Sequence, residues 1–299
     1  MLFRSKAGFL LGLGAYITWG LLPFYWKLIS EASAFEILAH RGVWALLLCV
    51  GLLAARKQLK NAFTLLQNKR SALILFAAAG FLTANWGVYI WSVTVNRVVE
   101  AALGYYINPL IAVCFGVVML KEKLRKLQWI SVGLATIGVI ILTVGYGSLP
   151  WIALVLAVTW GMYGLLKKTL NAGALETLSI ETLFTLTPNI IYLMLIETQG
   201  RAAFGHSWVT TLLLIFGGAA TIAPLLMWNG AVLRLPLSVI GLLQYLTPTI
   251  MFFIGIYANH EDMSATKLFG FFFIWSALIA LGTDAVKNSR SKNSLVEDL

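Results

Sequence analysis

The sequence predicts an all-α integral membrane protein of ten transmembrane helices, arranged as two five-helix repeats of inverted topology. Three observations predict it. Of 299 residues, 60% are hydrophobic and 11% charged, whereas a soluble domain carries about 45–50% apolar and about 25% charged residues. Ten apolar stretches, each close to the ~20 residues that cross a hydrocarbon core, are centred at about residues 18, 45, 83, 110, 137, 159, 188, 219, 248 and 276. Finally, the second half of the chain repeats the first. Thr18, Trp19, Gly20 and Lys27 recur as Thr159, Trp160, Gly161 and Lys168 at an offset of 141. Trp91, Arg97 and Gly104 recur as Trp228, Arg234 and Gly241 at 137, and Pro109, Gly116 and Glu122 as Pro248, Gly255 and Glu261 at 139. Five spans per half is an odd number, so the second copy must lie upside down in the bilayer. Inverted internal symmetry marks secondary transporters, whose substrate site lies near the midplane between the repeats.

The first span opens with Arg4 and Lys6 but runs on through Trp19, Pro23 and Trp26 without a small-residue cleavage pattern, so it reads as a retained helix rather than a signal peptide. The second opens with Glu36, His40, Arg41 and Trp44; positions 36, 40 and 44 share one helical face. Residues 55–71 place Leu59, Phe63 and Leu66 at i, i+4, i+7 among Lys and Asn, which suits either a short surface helix or a flexible loop. Asn85 and Trp86 fall in the middle of the third span. Small-residue runs at 77–80 and 217–220, in the third and eighth spans, would let backbones of the two repeats meet. The fourth span carries Tyr105, Tyr106, Asn108 and Pro109, and the ninth carries Gln244, Tyr245, Thr247, Pro248 and Thr249. The domains expected are residues 1–146 and 147–287, one repeat each, and a polar, disordered tail at 288–299.

The net charge of +10 is an orientation signal rather than a nucleic-acid footprint. With both termini cytoplasmic, 17 of the 22 basic residues lie inside, and only Lys27, Arg41, Arg97, Arg201 and Lys267 lie outside. Cys49 and Cys114 sit singly in spans, which supports neither a disulfide nor a metal site.

Paired prolines at equivalent depths disturb helical hydrogen bonding where water is scarce, so Pro109 and Pro248 are read as helix breaks that point to a binding site. Tyr105, Tyr106, Asn108, Gln244 and Tyr245 cluster about them as cavity lining, with Trp19, Asn85, Trp86 and Trp160 as walls. The structural alternative is that the prolines kink helices for packing and the aromatics fill a core. Glu36, His40 and Arg41 form a polar gate or anchor on the outer side, Arg41 holding an anionic group; the alternative is Arg41 snorkelling to headgroups. Lys27 and Lys168 lie at helix ends, and Glu122 and Glu261 in turns where they would cap helices or pair with Lys. All twelve acidic residues fall near span ends, in loops or in the tail, so no carboxylate of the kind that ion-coupled pumps use is expected at the midplane. No HExxH, GxSxG or phosphate-binding loop occurs, which leaves a membrane-embedded enzyme or a non-transporting sensor as the rival class. No cofactor, metal or nucleic acid is expected, and the partners are a small-molecule substrate and the lipid bilayer.

The stretches AYITWG (15–20), EILAHR (36–41), NWGVYIW (85–91), EAALGYYINPL (100–110) and GSLPWIAL (147–154) resemble the EamA transporters of the drug/metabolite transporter superfamily, in particular their RarD-type bacterial members. The resemblance covers nearly the whole chain. It implies ten helices in two inverted repeats in the bacterial inner membrane, and export as the direction. Superfamily relatives move amino acids, other metabolites and amphipathic drugs. His260 and Lys121 stand before Glu261 and Glu122 where the family has Gly. The expectation is therefore a secondary transporter, probing one side and then the other, for a small polar or aromatic-bearing metabolite or drug.

Overall fold

The computed structural model describes residues 6–120, 124–170, 172–232, 234–235, 240 and 243–297. Helices α1 (Lys6–Lys27), α2 (Ala34–Ala55), α3 (Leu59–Gln67), α4 (Lys69–Thr94), α5 (Val98–Leu120) and α6 (Lys126–Tyr146) are followed by α7 (Trp151–Lys168), α8 (Ala174–Thr198) and α9 (Trp208–Val232). Then come α10 (Leu246–Phe253), a π-helical turn over Ile254–Ala258, and α11 (Ala265–Glu297). Among the described residues there is no strand. Seven of these helices are long and apolar enough to cross a membrane, and Val98–Ile111, Trp151–Lys167 and Leu246–Ala258 are shorter apolar helices.

Local chemistry starts and stops the helices where polar side chains or glycine permit. The Ser33 hydroxyl accepts the Glu36 N–H at 3.1 Å and opens α2, and Asn68 accepts the Ser71 N–H at 3.0 Å and opens α4. Gly147, at φ +68°, closes α6. The most extensive helix pairs are α6 with α11, α5 with α7, α2 with α8 and α9, α4 with α7, and α1 with α9. Each joins an element before residue 147 to one after it. The two halves are interleaved, and neither has a separate core. The main core runs through Trp26, Ile90, Leu103, Tyr106, Leu142, Leu156, Phe252 and Phe271.

Several expectations are refined or corrected. Residues 59–67 form a helix, packed on α4 and α8 with Phe63 exposed. The supposed disordered tail is helical to Glu297, because α11 continues through it. Pro109 does not break its span: α5 runs through it without interruption. Pro248 sits in the first turn of α10, where its missing N–H costs nothing, and the ninth span is interrupted one turn earlier by a turn at Gln244 and Tyr245. Of the small-residue runs, Gly218 lies directly on the Trp44–Ala45 backbone of α2, whereas Gly80 faces open space.

The π turn also has a cause. Gly255 lies so near the start of α5 that a Cβ there would come within 2.4 Å of Val99. That approach lets Glu261 accept the Val98 N–H at 2.6 Å and the Val99 N–H at 3.0 Å, capping α5 as expected. Burial pushes the Glu261 carboxyl up from its ordinary value, against these two donors. Glu122 and Lys121 lie outside the described residues, as does Gly241. His260 adopts φ +53°, the left-handed region that favours glycine. His260→Gly is therefore expected to stabilise the protein by about 1 kcal/mol, read as a raised midpoint in thermal unfolding in detergent; an unchanged or lowered midpoint would refute the strain.

Candidate functional site

The serine cap of α2 fixes where its polar side chains fall. Arg41, seven residues inside the helix, is about 10 Å from its start at about 1.5 Å per residue. Its side chain does not snorkel: the residue is only 4% exposed. The guanidinium lies over the face of Trp86 from α4, 3.6 Å from the ring centroid, with the Trp26 ring of α1 at 5.4 Å. Nε donates to Thr221 Oγ1 of α9 at 2.7 Å, and Thr221 in turn donates to the Gly217 carbonyl, so its lone pair is free to receive the Arg. Nη1 is buried without a hydrogen-bond partner. Among the described residues, no carboxylate lies within ion-pair distance of Arg41.

Tyr89 and Tyr105 lie within electrostatic reach of this cation, their rings edge-on at 6.0 Å. The Tyr89 hydroxyl is buried against the Trp26 indole, which reaches it as a hydrogen-bond partner, and the Trp44 indole nitrogen is buried without one. An unpaired buried guanidinium nitrogen is unusual, because buried polar atoms are almost always satisfied. The energetics point the same way. A cation over an aromatic face gains about 0.5–2 kcal/mol, while the effective cost of burying an ion is several kcal/mol. The difference leaves the Arg41 charge only partly compensated by the protein.

The other sequence-selected residues divide. Trp86 and Tyr105 join Arg41. Asn85 does not form a wall: its Nδ2 donates to the Leu156 carbonyl and to Thr159 Oγ1, both at 2.9 Å, tying α4 to α7, while its Oδ1 stays unpartnered. Trp19 packs edge-on against Tyr16, and Trp160 tilts on Tyr163 in a cluster that also contains Trp86. The Tyr106 hydroxyl pairs with Thr249 Oγ1 at 2.8 Å, and its ring meets Phe271 and Trp275, so it packs α5 against the ninth and tenth spans. Asn108, Pro109, Gln244 and Tyr245 are half-buried along those same spans, and Pro248 is buried.

Glu36 and His40 turn away from Arg41. The Glu36 carboxylate accepts the Ala203 N–H at 2.8 Å and the Phe204 N–H at 3.1 Å, and His40 stacks on Phe204 at 4.5 Å. Together they strap the 199–207 connection over the end of the bundle. Lys27 donates to Asn96 at 2.7 Å and Asn259 at 2.6 Å, pinning two more connections at its own helix end.

The sequence reading missed Trp26, Tyr89 and Thr221 as site residues. Tyr89 stands three and four residues beyond Trp86 and Asn85, and Trp26 seven beyond Trp19. Helical spacing alone put both on marked faces. Glu181 was expected near a span end. Because α8 starts at Ala174, it lies about 10 Å inside that helix, with its side chain 1% exposed.

A model of the EamA-like transporter family matches residues 6–144. A protein named RarD from Streptomyces exfoliatus is 42% identical over 295 residues, 98% of this chain and 94% of its own. An uncharacterized transporter of Vibrio cholerae is 40% identical over 95% of this chain and 94% of its own, and the RarD protein of Escherichia coli 38% over 96% and 97%. A solved crystal structure superposes with a TM-score of 0.60, covering 93% of this chain and 97% of that one at 18% identity, a likeness of fold.

Proposed function

The chain belongs to the EamA family of transporters as a RarD-type member, and from that premise we propose that it is a secondary transporter that exports a small metabolite or drug bearing an anionic group, with a polar or aromatic body, across the bacterial inner membrane. The observation that carries this reading is the buried Arg41 guanidinium, with its free Nη1, its aromatic walls and no carboxylate in reach among the described residues. An arriving carboxylate would satisfy Nη1 and receive the Tyr89 hydroxyl, while Trp86 and Trp26 flank its body.

The ten-helix, two-repeat arrangement (1–146 and 147–287, with 288–299 as the tail) belongs to the same proposal. It is supported by the matched sequence offsets and by the pairing of α1 with α10 and α9 mirroring that of α7 with α5 and α4. Alternating access then follows as rocking of the interleaved halves about the Arg41 cluster. The charge asymmetry of the connections supports an orientation with both termini in the cytoplasm and the Glu36 strap outside.

The test is counterflow in proteoliposomes preloaded with candidate amino acids, other small metabolites or chloramphenicol. At least one carboxylate-bearing compound should exchange saturably. Its methyl ester should exchange at least about 30-fold more weakly, since losing a buried charge pair costs about 2–5 kcal/mol. Equal exchange of acid and ester would remove the anionic-substrate reading, and absence of any flux would remove the transporter reading.

A further inference from the structure

A second buried charge lies on the opposite half of the chain, and the site described above does not use it. Glu181 and Arg41 are each the seventh residue beyond the first residue of their helix, Ala174 and Ala34. Lys167 stands 141 residues beyond Trp26, the same offset that relates Thr159 to Thr18. The Arg41–Trp26 contact is thus repeated as Glu181–Lys167, with a carboxylate where the first half has its cation.

The pair is fully built. Glu181 Oε1 receives the Lys167 ammonium at 2.8 Å, and Oε2 receives the Tyr163 hydroxyl at 3.2 Å. Lys167 also donates to Thr177. Above the carboxylate is a water-sized space of about 20 Å³ whose lining includes Gly42, Thr83, Trp86, Thr185 and Asn189. Trp86 therefore meets Arg41 with its face and shares the lining of this space with Glu181.

Neighbouring helices supply little else that titrates. From α2 the Cys49 thiol lies within electrostatic reach. From α4 the lining groups are Ala79, Leu82, Thr83 and Trp86, and from α9 the adjacent Leu225 and Leu226 are apolar. From α3, Lys60 lines a separate groove beside Ser179, Ile180 and Leu183. Protonation of the pair is thus governed by Glu181 and Lys167 themselves.

We propose that Glu181 is a proton-binding site: paired with Lys167 it closes the cytoplasmic half of the path between α2, α4, α7 and α8, and when its carboxylate takes a proton from the cytoplasm Lys167 is released and that half opens. This rests on the transporter reading and adds to it a coupling ion. A buried ion pair that loses one charge leaves the other uncompensated, so the closed packing is favourable only while both are charged. Lys167, with a side chain 22% exposed, can carry its ammonium to the interface, whereas Glu181 cannot reach water without the helices parting.

The experiment uses the full chain with Cys49 and Cys114 replaced by Ala and a reporter Thr185→Cys, labelled with a membrane-impermeant thiol reagent from the cytoplasmic side. Rates are divided by that of Asn61→Cys, an exposed position of α3, to remove the thiol's own pH dependence. Glu181→Gln should raise the normalised rate about tenfold and make it independent of pH. The parent should approach that rate on going from about pH 8 to about pH 5, toward the ordinary carboxylate range. The exchanged pair, Lys167→Glu with Glu181→Lys, should restore slow labelling and show that a folded, closed state is recovered. A rate indifferent to Glu181→Gln and to pH would overturn the proposal. Counterflow still abolished by Arg41→Ala in that case would leave the transporter reading in place, whereas counterflow indifferent to Arg41, with labelling still governed by Glu181, would strike the Arg41 anion site and leave both transport and the Glu181–Lys167 closure standing.

Discussion

Arg41→Ala is expected to abolish saturable exchange while leaving the folded protein at least as stable as the parent. The two parts come from one fact. A structural Arg in an apolar bundle is held by carboxylates or carbonyls, and removing it leaves those partners stranded. Arg41 has one hydrogen bond, to Thr221, and the aromatic faces of Trp86 and Trp26, against a burial cost of several kcal/mol. Truncation relieves that cost in the empty protein and removes the anion's partner in the loaded one. The loss should be at least about 30-fold in apparent affinity, from about 2–5 kcal/mol. Arg41→Lys keeps the charge but not the planar group that lies flat on Trp86, and should recover only a small part of the exchange. Counterflow and thermal unfolding on the same purified variants decide it: a large drop in melting temperature with Arg41→Ala would show that the side chain holds the bundle together instead.

Gly218→Leu should yield no folded protein. A Cβ at this position would stand 2.6 Å from the Trp44 carbonyl carbon, 2.7 Å from the Ala45 nitrogen and 2.7 Å from Trp44 Cβ. Two of these atoms are backbone and cannot turn aside as a flexible side chain does. Overpacking a core where neighbours can shift costs about 1–3 kcal/mol; here α2 and α9 must separate. Even Gly218→Ala should cost at least about 3 kcal/mol, against a typical total stability of about 5–15 kcal/mol. The matched control is Gly51→Ala, on a face with nothing within 4 Å, which should be neutral. Size-exclusion profiles of the two alanine variants, side by side, test the contact. A monodisperse Gly218→Leu protein would show that the helices are not held this closely.

Composition and hydropathy made the helical membrane architecture legible, because a bilayer admits few alternatives to a helix whose backbone bonds are internal. Arg41 was legible for the same reason: a charge well inside an apolar span needs an explanation. Its surroundings were not. Trp26 and Tyr89 look like ordinary aromatics in a sequence rich in them, and only the packing of α1, α2 and α4 shows that they are buried beside Arg41. Glu36 and Arg41 are five residues apart, which suggested one polar group. A helix turns about 100° per residue, and the structure sends one side chain to the 199–207 backbone and the other to Trp86. Asn85, chosen for its depth, satisfies its amide nitrogen on α7, since a buried amide takes the nearest acceptors offered. The pairing of Glu181 with Lys167 depended on where α8 begins, and helix starts are the least visible feature of an apolar run.

The interruption at Gln244 and Tyr245 explains a detail of the repeat. The matched offsets are 137 at Gly104 and Gly241 but 139 at Pro109 and Pro248, so the interval from 241 to 248 is two residues longer than that from 104 to 109. Two residues carry about 200° of helical rotation. In an unbroken helix they would turn every later side chain, Thr249 and Gly255 included, to the far side of the span. The turn absorbs that rotation and keeps Thr249 on Tyr106 and Gly255 against Val99. The fourth span is consequently a single rod and the ninth a jointed one, and bending concentrates at interruptions of the i to i−4 ladder. The α5 rod and the jointed α10 region thus differ in stiffness, and the compliance of the bundle is lodged in the latter.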